Sequence, residues 1–315
     1  MGEYVLVTGG AGFIGSHLVD RLLDLGYRVV VIDNLSTGSE KNLRNHEKLQ
    51  FIKGDVSNPV FIDQLFNTFV FSKIFHLAAV SSVQNSIMDP YNTHQINTNA
   101  TILLLEAVKK QKNCPRFIFA SSAAVYGDGP TLPKNEMSEI QPLSPYAIDK
   151  YSSEQYLYIY YKLFGIPTVS LRYFNVYGPR QNPSSPYSGV LSRLTHCYYR
   201  ALHGEKSVFT LYGDGEQTRD FIHVSDVVTA NLIVAEDQRA VGKIFNVGTG
   251  IPSSLNKIIS IYENITKVSI HVQYEPFRSG DIRYSYANID SLKQLGFTPK
   301  YSIEEGLVHY WSSVV

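Results

Sequence analysis

The chain has 315 residues, 28 basic and 28 acidic side chains, and two cysteines. That length supports one large α/β unit or two lobes. Balanced charge without basic runs argues against nucleic-acid or membrane-surface partners, and no apolar run approaches the ~20 residues of a membrane span. The N-terminus enters its first strand without a charged-then-apolar leader, so a cytoplasmic protein is expected. Cys114 and Cys197 have no Cys or His at metal spacing, which predicts two reduced structural thiols and no metal site.

In chain order, Tyr4–Thr8 reads as a short buried strand. Gly9-Gly10-Ala11-Gly12 follows, and from Phe13 apolar residues recur at helical spacing. Strand, glycine turn and helix form the context in which a dinucleotide pyrophosphate rests on free N–H groups at a helix N-terminus. Gly9 suits the tight turn, Gly12 the approach of phosphate to backbone, and Gly15 close helix–strand packing. A tight turn with no ligand would look similar. A second buried strand, residues 27–32, ends at Asp33, about 20 residues on, where an acid can bind both hydroxyls of the adenosine ribose and repel a 2′-phosphate. NAD is therefore expected over NADP.

Further apolar runs at residues 49–53, 73–77, 116–120 and 168–173 alternate with helical patterns, which predicts a parallel sheet covered on both faces. Asp55, after the third run, is placed to accept from an adenine amino group. Leu77-Ala78-Ala79, after the fourth, is small and apolar. Gly, Pro, Ser and Asn crowd residues 178–189. We therefore expect a cofactor lobe over 1–175 and a smaller, loop-rich lobe over 176–315, with a late strand near 243–247 returning to the first sheet.

The fifth strand leads into Ser121-Ser122. Downstream, Ser144 is a good N-cap and Pro145 suits the first helical position, so Tyr146 and Lys150 share one face at i and i+4. An ammonium beside a phenol pulls its pKa from ~10 toward neutrality, which makes Tyr146 a general base with Ser122 donating to the reacting oxygen. With 22 tyrosines in the chain, chance Tyr–Lys spacing is common. It is the conjunction of Ser122, the capped Tyr–Lys pair and the glycine fingerprint that is specific. Tyr156, Tyr158, Tyr160 and Tyr161 read as packing or interface residues.

These motifs resemble the extended short-chain dehydrogenase/reductase superfamily. The likeness continues through Arg172-Tyr173-Phe174-Asn175-Val176-Tyr177-Gly178-Pro179-Arg180, Gly213 to Phe221, and Arg278-Ser279-Gly280-Asp281-Ile282. Within the superfamily the chain is similar to UDP-hexose 4-epimerases, above all those acting on UDP-N-acetylhexosamines. The resemblance implies a Rossmann-type doubly wound parallel sheet with a smaller loop-rich α/β substrate lobe, bound NAD, a UDP-sugar substrate and a homodimer through helices near residues 93–110 and 145–163.

It also implies a cofactor site of Gly9, Gly12, Phe13, Ile14, Asp33, Asn34, Ser36, Thr37, Gly38, Asp55, Val56, Leu77, Ala78, Ala79, Ser81, Tyr146, Lys150 and Tyr173. Asn175, Arg219 and Arg278 would hold the diphosphate, Asp281 a uridine ribose hydroxyl, and Val190 and Tyr212 the uracil. Each Arg could instead serve a surface ion pair. By the same likeness Tyr146 removes and returns the O4 proton while the C4 hydride passes to and from NAD, and the 4-keto sugar rotates in between.

Ala123-Ala124 stands where related 4,6-dehydratases carry an Asp-Glu pair and decarboxylases a Glu. Uronate 4-epimerases and a non-catalytic NAD-binding protein stay open as alternatives. Ser285 stands where epimerases restricted to glucose and galactose carry a bulky Tyr, which implies room for a C2 acetamido group. Two departures concern the cofactor: Ser81 aligns with a Lys near the nicotinamide ribose, and Ala120 with a Ser of a triple-Ser run.

Overall fold

The computed structural model describes residues 4–181, 189–277 and 282–315. The strands are β1 (Tyr4–Thr8), β2 (Val29–Asp33), β3 (Leu49–Lys53), β4 (Phe71–His76), β5 (Arg116–Ser122), β6 (Thr168–Tyr173), β7 (Asn175–Tyr177), β8 (Val208–Tyr212), β9 (Thr218–His223), β10 (Lys243–Val247), β11 (Pro252–Ser254), β12 (His271–Glu275) and β13 (Tyr284–Ser285). The helices are α1 (Phe13–Asp24), α2 (Pro59–Thr68), α3 (Val83–Met88), α4 (Pro90–His94), α5 (Ala100–Lys110), α6 (Pro145–Phe164), α7 (Val190–Leu202), α8 (Val224–Glu236), α9 (Leu255–Thr266), α10 (Asp290–Lys293) and α11 (Ile303–Ser312).

Seven strands form one parallel sheet in the order β10-β6-β5-β4-β1-β2-β3. Strand periodicity places alternate residues on opposite faces. Val5, Val7, Val29, Val31 and Ile118 pack on the α1 and α8 side, whereas Leu6, Val30, Ile32, Phe117 and Phe119 pack on the side of α5 and α6. Both faces are covered, which is why these strands read as continuous apolar runs. The strand order reverses between β1 and β4, so the connections leaving them diverge and open a crevice at their carboxyl ends.

The late strand β10 joins this sheet beside β6, and α8 packs on α1. A four-stranded sheet of β7, β9, β11 and β13 and a β8–β12 pair lie outside it. A third core of Tyr198, Tyr262, Leu307, Tyr310 and Trp311 joins α7, α9 and α11. The helix expected over 93–110 is present, with a π-helical segment at residues 95–99 joining α4 to α5 without a break. No helix among the described residues is long and apolar enough to cross a membrane.

Candidate active site

The crevice begins where β1 ends. Gly9 adopts φ +69°, and a Cβ there would meet the Ala78 nitrogen at 2.7 Å. Gly12 caps α1 without a side chain, so no side chain occupies the first-turn N–H groups near Phe13 and Ile14. Gly15 fits as expected but against a different neighbour: its Cβ would lie 2.2 Å from the carbonyl of Gly9, in the turn rather than the strand.

Asp33 closes β2 with both oxygens fixed by backbone, Oδ2 accepting from Ala11 N at 3.0 Å and Oδ1 from Leu35 N at 2.8 Å. Gly38 folds over the same carboxylate, while Asn34, Ser36 and Thr37 are exposed beside it. Asp55 follows β3 next to buried Val56 and accepts from Ser57 N, Ser57 Oγ and Asn34 Nδ2. Burial pushes its carboxyl up, but these hydrogen bonds outweigh that and hold it below its ordinary value.

Across the crevice, Ala78 N donates to Thr8 Oγ1 at 3.3 Å, which holds Leu77-Ala78-Ala79 close to the glycine turn. Asn97, buried in the π segment, accepts from Val80 N at 2.8 Å and donates to Val80 O at 3.1 Å. Nothing in the sequence patterns singled it out. Ser81 is exposed at the same edge. A cradle of backbone that a Cβ would fill, an uncapped helix start and acids at the ends of β2 and β3 fit a dinucleotide with free ribose hydroxyls.

At the end of β5, Ser122 stands beside the Tyr146 phenol and accepts from Ala124 N at 3.2 Å. Ser144 Oγ accepts from Ala147 N at 3.2 Å, and with Pro145 in the first turn it starts α6 as the capping pattern requires. Lys150 is buried, its Nζ donating to Ala120 O at 2.7 Å and lying 4.7 Å from the centre of the Phe119 ring. Burial lowers its ammonium to about 8, against the carboxylates of Asp149 and Glu154, which raise it.

The expected depression of the Tyr146 phenol does not occur. Burial raises it above its ordinary value, opposed only by the neighbouring Ser122 hydroxyl. The reason is geometric: the Lys150 ammonium is turned onto the Ala120 carbonyl and stands 5.9 Å from the centre of the tyrosine ring.

Tyr173 is the register partner of Ser122, but its hydroxyl is engaged by Asn231 of α8, at 3.0 Å to Oδ1 and 2.7 Å from Nδ2. Its backbone borders the site while its phenol faces the core. Asn175 Nδ2 donates to Asp220 O at 3.2 Å, joining β7 to β9. Arg219, on β9, donates from Nη1 to the carbonyls of Thr218 and Arg283. Ser285 pairs with Arg219 across β13 and β9, Val190 opens α7 and Tyr212 ends β8. Arg278 and Asp281 lie outside the described residues.

Pattern reading missed what holds these strands together. The buried Asp220 carboxylate accepts from Thr249 N and Oγ1, Gly250 N and Ala287 N. It also missed the buried pair of Glu154, on α6, and Arg172, on β6. A signal existed for that pair: Arg172 interrupts an apolar strand, and a charge in a buried strand requires a partner.

The family model for the NAD dependent epimerase/dehydratase family matches residues 5–248. The UDP-glucose 4-epimerase of Mycolicibacterium smegmatis is 36% identical over 306 residues, spanning 96% of this chain and 95% of its own. The crystal structure of the Thermotoga maritima UDP-glucose 4-epimerase with UDP-glucose superposes with a TM-score of 0.92 at 38% identity, over 99% of this chain and 98% of that one. The UDP-N-acetylglucosamine 4-epimerase of Methanobrevibacter ruminantium M1, solved with UDP-N-acetylmuramic acid, gives 0.91 at 39% identity over the same shares. With a matching model across most of its length and relatives this similar end to end, the chain belongs to the NAD-dependent epimerase/dehydratase family.

Proposed function

We propose that the chain is a UDP-hexose 4-epimerase that turns over UDP-GlcNAc and UDP-GalNAc, and also accepts UDP-Glc and UDP-Gal. The observation that carries this reading is the contact of Ser122 with Tyr146 at the mouth of the dinucleotide crevice, with Lys150 one turn further along α6. When bound, NAD supplies the hydride acceptor and gives the same hydride back.

Tyr146 takes the proton from O4 and later returns it, so no proton is gained or lost over the cycle. Ser122 hydrogen-bonds the same oxygen. Lys150, held on Ala120 O, keeps a positive charge behind the phenol. Asn175, Arg219, Arg278 and Asp281 anchor the nucleotide, and guanidinium forks suit diphosphate oxygens. Firm anchoring there with few sugar contacts leaves the 4-keto sugar free to turn over. Ala123 and Ala124, in the 3₁₀ turn directly after Ser122, supply no acid or base for elimination across C5–C6.

We read residues 1–175 as the cofactor lobe and 176–315 as mainly the nucleotide-sugar lobe, in a homodimer. Tyr91, Ile148, Tyr156 and Ile159 are exposed on α4 and α6, an apolar surface of the kind that marks association. The test of substrate is to incubate pure protein separately with UDP-GlcNAc, UDP-Glc and UDP-GlcA, without added cofactor, and resolve products by NMR. C4 epimers of the first two support the reading. Turnover of UDP-GlcA alone favours a uronate 4-epimerase, and no turnover of any favours a binding protein.

A further inference from the structure

Three successive residues at the end of β5 each face one of three residues at successive turns of α6, and two of them are hydrogen-bonded to it. Ala120 O accepts from Lys150 Nζ at 2.7 Å, Ser121 Oγ donates to Glu154 Oε1 at 2.5 Å, and Ser122 stands beside the Tyr146 phenol. Tyr146, Lys150 and Glu154 stand at i, i+4 and i+8, one stripe on one helix face. Glu154 is 1% exposed, and a carboxylate so buried persists only when paired.

Its partner is Arg172, which donates from Nε to Oε1 at 2.9 Å and from Nη2 to Oε2 at 2.6 Å. Arg172 lies opposite Ser121 in the register of β5 and β6. It also donates to the Tyr126 hydroxyl at 2.9 Å, which in turn donates to Asn246 Oδ1 on β10 at 2.6 Å. A continuous buried network therefore runs from an edge strand to the middle rung of the catalytic ladder.

We infer that Glu154, clamped by Arg172, is a positioning residue of the reaction: through Ser121 it fixes the register of α6 against β5, and with it the Ser122–Tyr146 and Ala120–Lys150 contacts. This inference rests on the reading of Tyr146 as the acid/base. The clamp also acts on charge, since the Glu154 carboxylate supports the buried Lys150 ammonium alongside Asp149.

A purely structural ion pair can often be replaced as a unit by apolar side chains without loss of stability, whereas removing one partner leaves a buried charge. The test therefore uses the double variant Glu154→Met/Arg172→Met and the single variant Ser121→Ala. Thermal unfolding, and kcat and KM as functions of pH, are measured on each. We expect the double variant to fold, to keep its KM for the UDP-sugar, and to lose kcat by roughly tenfold or more, the scale set by small misplacement of reacting groups.

Its alkaline limb should move to lower pH, because Lys150 has lost a supporting carboxylate. Ser121→Ala should lower kcat with KM and the limb unchanged, because the charge remains. A folded double variant with wild-type kcat and limb overturns the inference. If the double variant does not fold, Ser121→Ala decides: reduced kcat at constant KM supports it, and wild-type kcat overturns it. Tyr146→Phe at wild-type rate instead sinks the catalytic reading and this inference with it, whereas an inactive Tyr146→Phe beside unaffected clamp variants sinks the inference alone.

Discussion

Ser285 lies directly opposite Arg219 in the parallel pairing of β13 with β9. The small residue proposed to gate the sugar and the cation proposed to hold the diphosphate therefore share one rung of one sheet. A change at 285 alters the space beside Arg219.

Ser285→Tyr is expected to narrow that space. Turnover of UDP-GlcNAc should fall by about 10- to 100-fold in kcat/KM relative to UDP-Glc, the range available to steric discrimination in a pocket. Coupled assays on both sugars check it. An unchanged ratio removes residue 285 from the specificity argument.

The buried Lys150 ammonium, lowered to about 8, gives a pH dependence with a definite sign. As pH rises through that value the ammonium loses its proton and the charge behind Tyr146 disappears. kcat should decline on the alkaline side with an apparent midpoint near that value, and Lys150→Met should be slow throughout with the limb abolished. Initial rates across a pH series test this.

Gly15→Ala should damage both fold and cofactor retention. Its new Cβ would sit 2.2 Å from the Gly9 carbonyl, so either α1 or the turn must shift. Overpacking of this kind costs about 1–3 kcal/mol. Thermal unfolding and the NAD content of the purified protein are the measurements. Wild-type values for both would place the glycine turn outside the cofactor site.

His76 sits at the end of β4, bonded to Thr8 Oγ1 through Nδ1 and to Thr101 Oγ1 through Nε2. Burial lowers its ring from 6.5 to about 3. The unfolded chain takes up that proton below pH 6.5 and the folded chain does not, so stability is full above 6.5 and declines as pH falls toward 3. Each unit of difference corresponds to about 1.4 kcal/mol. Urea unfolding at a series of pH values should show this decline lessened in His76→Gln.

The strands were legible where burial on both faces made them continuous apolar runs, as in β1, β2 and β6, and where chemistry punctuated them, as at Gly9 and Ser144. The helix that carries Tyr146 followed from its cap and its proline. Less was visible where local pattern carries no record of tertiary neighbours. The π segment at 95–99 has ordinary helical spacing, so neither its wider turn nor the Asn97 grip on Val80 could be read from it.

The direction of the Tyr146 shift was misjudged for the same reason. Spacing places Lys150 on the same face, but only the fold turns its ammonium onto Ala120. Likewise Tyr173 was expected at the nicotinamide, and only the packed structure commits its hydroxyl to Asn231. Asp220 was hidden because a buried carboxylate announces itself through partners distant in sequence, and for Glu154 the signal lay in its partner, the Arg172 that interrupts β6.

The central claim, that Tyr146 moves the O4 proton, is tested most directly by following UDP-GlcNAc by NMR with the wild-type protein and with Tyr146→Phe, adding no cofactor. The wild type should reach a stable mixture of C4 epimers. The phenylalanine variant, folded and still holding NAD, should be slower by roughly 10²- to 10⁴-fold, the range for loss of a general acid/base. Epimerisation by that variant at the wild-type rate would contradict the account.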